Sequence, residues 1–227
     1  MIWLSKRVTI IIPTYNEAKN IQSIEGELKK LKGDFDVIFS DGFSTDGTFD
    51  MINYPKIQET KLRGPQMNAA SCYATTEYLW FVHADSKLDP NSVIAIENSG
   101  YDAGCFRIKF DSNKLALKIG GFFSTAHRVL FRKIAFGDQG IFIKRELFNE
   151  LGGYKDIPIM EDYQLSMDLK AIKKPIRLIN LPIITSARRF DEGAVKTLWK
   201  MQKLQQRHRR GENIKQIHKE YEEYDGK

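Results

Sequence analysis

Three apolar runs near the start of the chain each stop abruptly on a polar cluster, and this repeated pattern constrains the fold more than any other feature. Val8-Thr9-Ile10-Ile11-Ile12 is β-branched throughout and is stopped by Pro13, ahead of Thr14-Tyr15-Asn16-Glu17. Residues 35–39 form a second run that breaks at Asp41-Gly42, and Tyr78-Leu79-Trp80-Phe81-Val82 ends at His83-Ala84-Asp85. Short, continuous apolar runs of this kind suit strands buried on both faces of a parallel sheet. Between them Ile21, Ile24, Leu28 and Leu31 recur at helical spacing over residues 18–31. Residues 45–52 read as a short helix start and 56–59 as a short strand, and Pro65 sits where a helix begins, continued by 67–74. Alternation of strand and helix predicts a doubly wound, Rossmann-like α/β sheet. Ligands of such sheets collect at the carboxyl ends of the strands, so the three polar clusters are expected on one edge.

The second half is less regular. Residues 103–110 and 140–144 read as strands, 115–134 as a mostly helical stretch interrupted by Gly120-Gly121, and 146–151 as a short helix closed by Gly152-Gly153. A helix is predicted over 162–172, an extended segment over 176–184 around Pro182, and two helices over 194–210 and 214–224.

A chain of 227 residues is long enough for one sizeable domain and short for two, and no repeat or low-complexity linker divides it. With 42% hydrophobic and 28% charged residues it matches an ordinary soluble protein. No apolar run approaches the roughly 18–20 residues that span a bilayer. The opening residues run directly into a strand without a secretory pattern, so a cytoplasmic protein is expected. Cys72 and Cys105 form no CxxC and are expected to be reduced and buried. The net charge is +6, and it is local. Arg188, Arg189, Lys196, Lys200, Lys203, Arg207, Arg209 and Arg210 are opposed in their segment only by Asp191 and Glu192, an excess equal to that of the whole chain. One basic tail, rather than a nucleic-acid-binding coat, is the result.

Several side chains could carry chemistry. Asp41, after an apolar strand and before a glycine, can accept hydrogen bonds from a base or ribose, or can close an Asx-turn. Asp85 offers the single hard carboxylate that suffices for Mg²⁺ held with diphosphate oxygens and water; a capping role is the alternative. His83 could add a nitrogen ligand suited to Mn²⁺. Arg63, just before a helix start, suits a phosphate or a solvated surface. Glu161-Asp162 can cap a helix or supply a general base. GxGxxG and GxxxxGK[ST] are both absent, which excludes the usual dinucleotide fingerprint and the P-loop.

Together these segments resemble the family 2 glycosyltransferases, from about Val8 to about Arg189. Ile11-Ile12-Pro13-Thr14-Tyr15-Asn16-Glu17 resembles the family's opening strand and loop, and Asp41-Gly42-Phe43-Ser44-Thr45-Asp46-Gly47-Thr48 its second nucleotide-binding segment. Arg63-Gly64-Pro65-Gln66-Met67-Asn68-Ala69-Ala70 resembles the Arg-bearing turn and helix; His83-Ala84-Asp85 stands at the DxD position and Glu161-Asp162 at the ED position. RGxxQMNA, the HAD turn, Gly137-Asp138-Gln139-Gly140 and Met160-Glu161-Asp162 are similar to a small bacterial subgroup associated with radical-SAM or selenoprotein-like domains.

The resemblance implies a GT-A fold: a mostly parallel central sheet, flanking helices and a helical C-terminus. One domain is expected over 1–227, with a nucleotide-sugar half over about 1–100, an acceptor and catalytic half over about 101–190, and a basic helical tail over about 191–227. It implies inverting transfer from a UDP- or GDP-sugar to a hydroxyl acceptor, assisted by Mn²⁺ or Mg²⁺. Pro13, Tyr15, Glu17 and Asp41 would hold the nucleoside, and Arg63, Asp138 and Gln139 would belong to the substrate site. Arg188 or Arg189 would neutralise the leaving diphosphate. Asp85, with His83, would bind the metal, and Asp162, or else Glu161, would be the base. His83 departs from the first Asp of DxD. The rival readings are a nucleotidyltransferase, which wants a Gly-rich basic loop after the first strand, and a non-catalytic sugar-nucleotide binder. In the tail, Lys196, Lys200, Lys203, Arg207 and Arg210 fall on one helical stripe, either a solvated face or a contact for anionic lipid at the inner face of the membrane, as a lipid-linked acceptor would require.

Overall fold

A computed structural model describes residues 7–111, 127–186 and 203–225. Seven strands form one sheet in the order β3-β2-β1-β4-β6-β5-β7. They are β1 (Val8–Thr14), β2 (Phe35–Asp41), β3 (Lys56–Gln58), β4 (Tyr78–Phe81), β5 (Ala103–Asp111), β6 (Phe142–Lys144) and β7 (Arg177–Ser186). Only β6 runs against its neighbours, pairing antiparallel with both β4 and β5. The sheet is therefore mostly parallel, as expected, and the carboxyl ends of β1, β2 and β4 share an edge.

Pro13 does not end β1. The strand continues to Thr14, paired with Asp41. In a parallel ladder a residue's N–H and C=O point to the same neighbour, and the Ile11 carbonyl accepts from Val82 on the β4 side. Pro13 therefore turns its missing N–H toward β4, whose ladder has already ended at Ile11 and Phe81. A proline costs nothing at such a position.

Helices cover both faces. Val8, Ile10 and Ile12 join α1 (Ala18–Leu28) and α4 (Ser92–Ser99) in one core with Trp80 and Phe106. Ile11 faces the other core, shared with α3 (Arg63–Ser71), α5 (Arg145–Glu150) and α6 (Glu161–Ala171). Each isoleucine fully buried this way contributes about 1.5–3 kcal/mol. Buried Glu25 ties α1 to the segment after the one-turn α2 (Thr48–Met51), accepting hydrogen bonds from the Asn53 main chain and side chain at 2.8 and 2.9 Å.

Some expectations change. The helix read over 115–134 is described only from residue 127, where His127–Arg132 forms a π-helical turn that stops before Ile134. Cys105 is buried, but Cys72 is exposed. Residues 203–209 are helical, and α7 (Ile214–Asp225) follows. The pair folds back on the domain: Leu204 and Ile217 are buried against Ile134, Met160 and Tyr163. Arg207 turns inward to Glu212 at 2.6 Å and Glu220 at 2.5 Å, so the predicted basic stripe is not a continuous solvated face. Lys196 and Lys200 lie outside the described residues.

Candidate active site

At the ends of β1 and β2 two loops are zipped together by side chains. Asp41 is fully buried and accepts hydrogen bonds from Thr14 Oγ1 (3.1 Å), Ser44 N (2.9 Å) and Ser44 Oγ (2.5 Å). Asn16, at φ +52°, donates its N–H to Ser44 Oγ and accepts from Thr45 N, both at 2.9 Å. The Glu17 N–H reaches Thr48 Oγ1, and the Ala18 N–H reaches Asp46. Burial opposes ionisation of Asp46, yet hydrogen bonds from Thr48 and Ala18 prevail and hold its carboxyl below the usual range. Glu17 stands at the N-terminal boundary of α1 and its carboxylate accepts from the Asn20 side chain. The Lys61 ammonium lies 4.1 Å from the Tyr15 ring centroid. Gly42 forms the floor between them: a Cβ there would stand 3.2 Å from Tyr15, Lys61 and Gln66 alike. Phe43, at φ +59° and 58% exposed, stands at the rim.

The segment from Arg63 to Asn68 divides its work. Gln66 donates both amide hydrogens to main-chain carbonyls, Thr14 O at 2.8 Å and Ser40 O at 2.7 Å, locking α3 to the strand ends. Asn68 exchanges two 2.8 Å hydrogen bonds with the Tyr154 main chain. Gly153, at φ +71°, leaves room for it; a Cβ there would come within 2.6 Å of Asn68 Oδ1. Gln66 and Asn68 are thus structural partners that sequence reasoning did not assign, because their targets are carbonyls and amides far along the chain. Arg63 stands at the start of α3, near the carboxylates of Glu161, Asp162 and Asp85. Burial of its guanidinium works to lower its pKa, but the carboxylates of Glu161, Asp162 and Asp85 outweigh this and raise it.

Opposite, Asp162 opens α6. Its carboxylate accepts from Gly137 N and Tyr163 N, each at 2.6 Å. Burial, then the neighbouring charge of Glu161 and more weakly that of Asp138, pushes its carboxyl up to about 7 against those hydrogen bonds. Glu161 is raised too, by burial, with Arg63 pulling the other way. Burial and these two carboxylates also push the Tyr154 hydroxyl well up. Met160, immediately before the pair, takes φ +70°, a strained conformation for a long side chain. Its burial with Leu204 and Ile217 holds that backbone in place. Ser166, one turn on, donates to Ala135 O and accepts from Ala135 N, which secures the loop carrying Gly137.

The remaining predicted residues are placed as follows. A Cβ on Gly137 would lie 2.7 Å from His83 Nε2 and 3.6 Å from Asp162 Oδ2, so the His83 ring packs on the Gly137 loop beside Asp162. Asp85 lines a pocket of ≈ 170 Å³ with Asn20, Ser23, Lys87, Asp111 and Thr185. Gln139 is fully buried; its amide reaches Cys105 Sγ (3.6 Å) and Phe106 O (3.4 Å), and its oxygen accepts from Phe136 N (3.2 Å). That set of contacts fits anchorage of the loop to β5 better than contact with a substrate. Asp138 is half-buried on the same loop. Arg188 and Arg189 lie outside the described residues.

The sequence model described as "Glycosyl transferase family 2" matches residues 9–152, from β1 to the glycine that closes α5. The chain belongs to glycosyl transferase family 2. Its GT-A sheet is shared with the mannosyltransferase PcManGT of Pyrobaculum calidifontis, solved with GDP-Man and Mn²⁺, at TM-score 0.64 and 22% identity over 88% of this chain and 61% of that one. TarS of S. aureus, residues 1–349, matches at TM-score 0.61 and 18% identity over 81% of this chain and 61% of that one. The same TarS fragment with UDP-GlcNAc matches at TM-score 0.60 and 18% identity over 79% and 58%. The chain thus spans about three fifths of these structures. No curated protein matches it. The family match ends before Glu161-Asp162.

Proposed function

We propose that this family 2 glycosyltransferase moves a sugar from a nucleoside-diphosphate donor, UDP- or GDP-linked, onto an acceptor hydroxyl with inversion. The observation that carries this reading is Asp162, a buried carboxyl held at about 7 beside Arg63 on the edge where the strand ends converge. A base with its pKa near the working pH is best suited to take a proton in the transition state. Asp162 would remove the acceptor proton as that oxygen bonds to the anomeric carbon. The bond from that carbon to the diphosphate breaks on the opposite face. Arg63, with Arg188 or Arg189, would neutralise charge gathering on the leaving group. Pro13, Tyr15, Glu17 and Asp41 frame the nucleoside side, residues 1–100 forming the donor half and 101–190 the acceptor half.

A divalent ion, Mn²⁺ or Mg²⁺, fits in a limited way. Among the described residues no three His, Cys, Asp or Glu side chains converge on one point. Asp85 would hold the ion, with the donor phosphates supplying further oxygens, as is usual for Mg²⁺. When bound, it would screen the diphosphate charge. His83, packed on Gly137, suits the base side of the site better than a ligand position. The HAD turn and the RGxxQMNA segment support placing the chain in the radical-SAM/selenoprotein-associated bacterial subgroup.

A screen of UDP- and GDP-sugars with Mn²⁺ titration tests the proposal through release of nucleoside diphosphate. A nucleotide binder would show affinity without release, and a nucleotidyltransferase would release pyrophosphate instead. Retention of anomeric configuration in the product would overturn the inverting step.

A further inference from the structure

The π-helical turn exposes two large apolar side chains, Leu130 at 50% and Phe131 at 76%. Adjacent exposed residues of this size mark a contact surface more often than a lone exposed leucine does. Their surroundings are basic. Arg132 and Lys133 follow directly, and no acidic residue occurs between Asp111 and Asp138 in the sequence. Arg209, on the helical segment 203–209, joins them: Arg132 and Arg209 both lie within electrostatic reach of the Tyr163 hydroxyl. Among the described residues neither Arg132, Lys133 nor Arg209 is in an ion pair with an acid, whereas Arg207 on the same helical segment is doubly paired.

We propose that Leu130 and Phe131, together with the basic side chains of Arg132, Lys133 and Arg209, dock the protein on an anionic lipid bilayer. Apolar side chains that enter the acyl boundary, together with basic residues at headgroup level, are what an interfacial anchor requires. The charge selects a bilayer over a neutral apolar partner. The turn is also well placed. Val129 is buried in the sheet's second core, and Ala135 is bonded to Ser166 on α6, so its base is rigid. Five residues separate Phe131 from Gly137, whose N–H donates to Asp162. That chain reaches at most roughly 20 Å, so a docked bilayer would present its headgroups close to the base. This use of the surface rests on the transfer reading, through a lipid-linked acceptor; binding itself does not.

Flotation of the full chain with vesicles tests the proposal. Phosphatidylcholine vesicles containing phosphatidylglycerol should carry the protein, pure phosphatidylcholine vesicles should not, and added salt should weaken the association. Leu130→Ser with Phe131→Ser should reduce partitioning by roughly tenfold or more. Arg132→Glu or Lys133→Glu should each reduce it by at least roughly fivefold. Donor hydrolysis by these variants, away from lipid, should match the parent and show that they are folded. Equal binding to neutral vesicles, no binding, or loss only on Lys196→Glu with Lys200→Glu would overturn the proposal. So would a dimer in light scattering that the Leu130 and Phe131 substitutions dissociate. Flotation as expected without turnover of any donor would sink the transfer reading and leave the membrane contact standing.

Discussion

The two sides of the sheet's carboxyl edge are built on opposite electrostatic plans. At the ends of β1 and β2 Asp41 is buried, but Thr14 and Ser44 supply three hydrogen bonds, and Gln66 donates to the neighbouring carbonyls. At the start of α6 Asp162 has two hydrogen bonds and two like-charged neighbours, Glu161 and Asp138. The first arrangement spends its polar groups on holding a shape. The second leaves a carboxyl uncomfortable as an anion and therefore ready to accept a proton. The two plans come from different elements: the ends of β1 and β2 supply the first, and the start of α6 with the Gly137 loop supplies the second.

The comparison breaks first at Asp162. Asp162→Asn should lower transfer by ~10²–10⁴-fold with donor affinity retained, checked by turnover and calorimetry side by side. Near-parental turnover would mean that the base lies elsewhere. The loop that holds it comes next. Gly137→Ala forces a methyl to within 2.7 Å of His83 Nε2, so the His83 ring must move, and turnover should fall by about tenfold or more with donor affinity little changed.

The β1–β2 side should respond in stability instead. Gln66→Ala removes two buried hydrogen bonds, leaving Thr14 O with the Gly42 N–H alone, and should cost ~1–3 kcal/mol in denaturant unfolding.

Proton linkage separates the two sides further. A folded-state pKa of about 7 against 3.8 for the free side chain means that the native state binds the proton more tightly. Stability from this group is present below pH 3.8 and declines as pH rises through the interval to about 7. Thermal melts of the parent should carry that slope and those of Asp162→Asn should lack it. Activity runs the other way, with kcat/KM rising through about pH 7 as the base is freed. The smallest effect belongs to the exposed Arg7–Glu77 pair, where Arg7→Ala should change stability by ~1 kcal/mol or less. A larger loss there would show that the rim of the sheet is less independent of its centre than its solvent exposure indicates.

Much of the first half was legible because periodicity and strand-end chemistry are local. Residues 8–12, 35–39 and 78–82 read as strands and are strands, within two residues at each end. The clearest boundary error, at Pro13, arose because a proline's cost depends on which neighbour its missing N–H faces, and only the ladder reveals that. The helix α4 went unread; its eight residues bury only Ser92, Val93 and Ile96, too little for a pattern. In the second half, 115–134 resembled a helix by composition but breaks at a π-helical turn where it is described.

The sequence by itself determined a parallel α/β sheet with its polar side chains on one edge, because apolar runs and their breaks are properties of neighbouring residues. It also singled out Arg63, Asp85 and Glu161-Asp162 as chemical groups. Only the tertiary structure decided what each does. It set Gln139 into the core, turned Arg207 inward, packed His83 on Gly137, and folded α7 over Met160. It brought Asp138 close enough to add to the effect of burial and of Glu161 in raising the Asp162 carboxyl. Those outcomes depend on burial and on charges brought together from distant parts of the chain, and neither exists until the chain has folded.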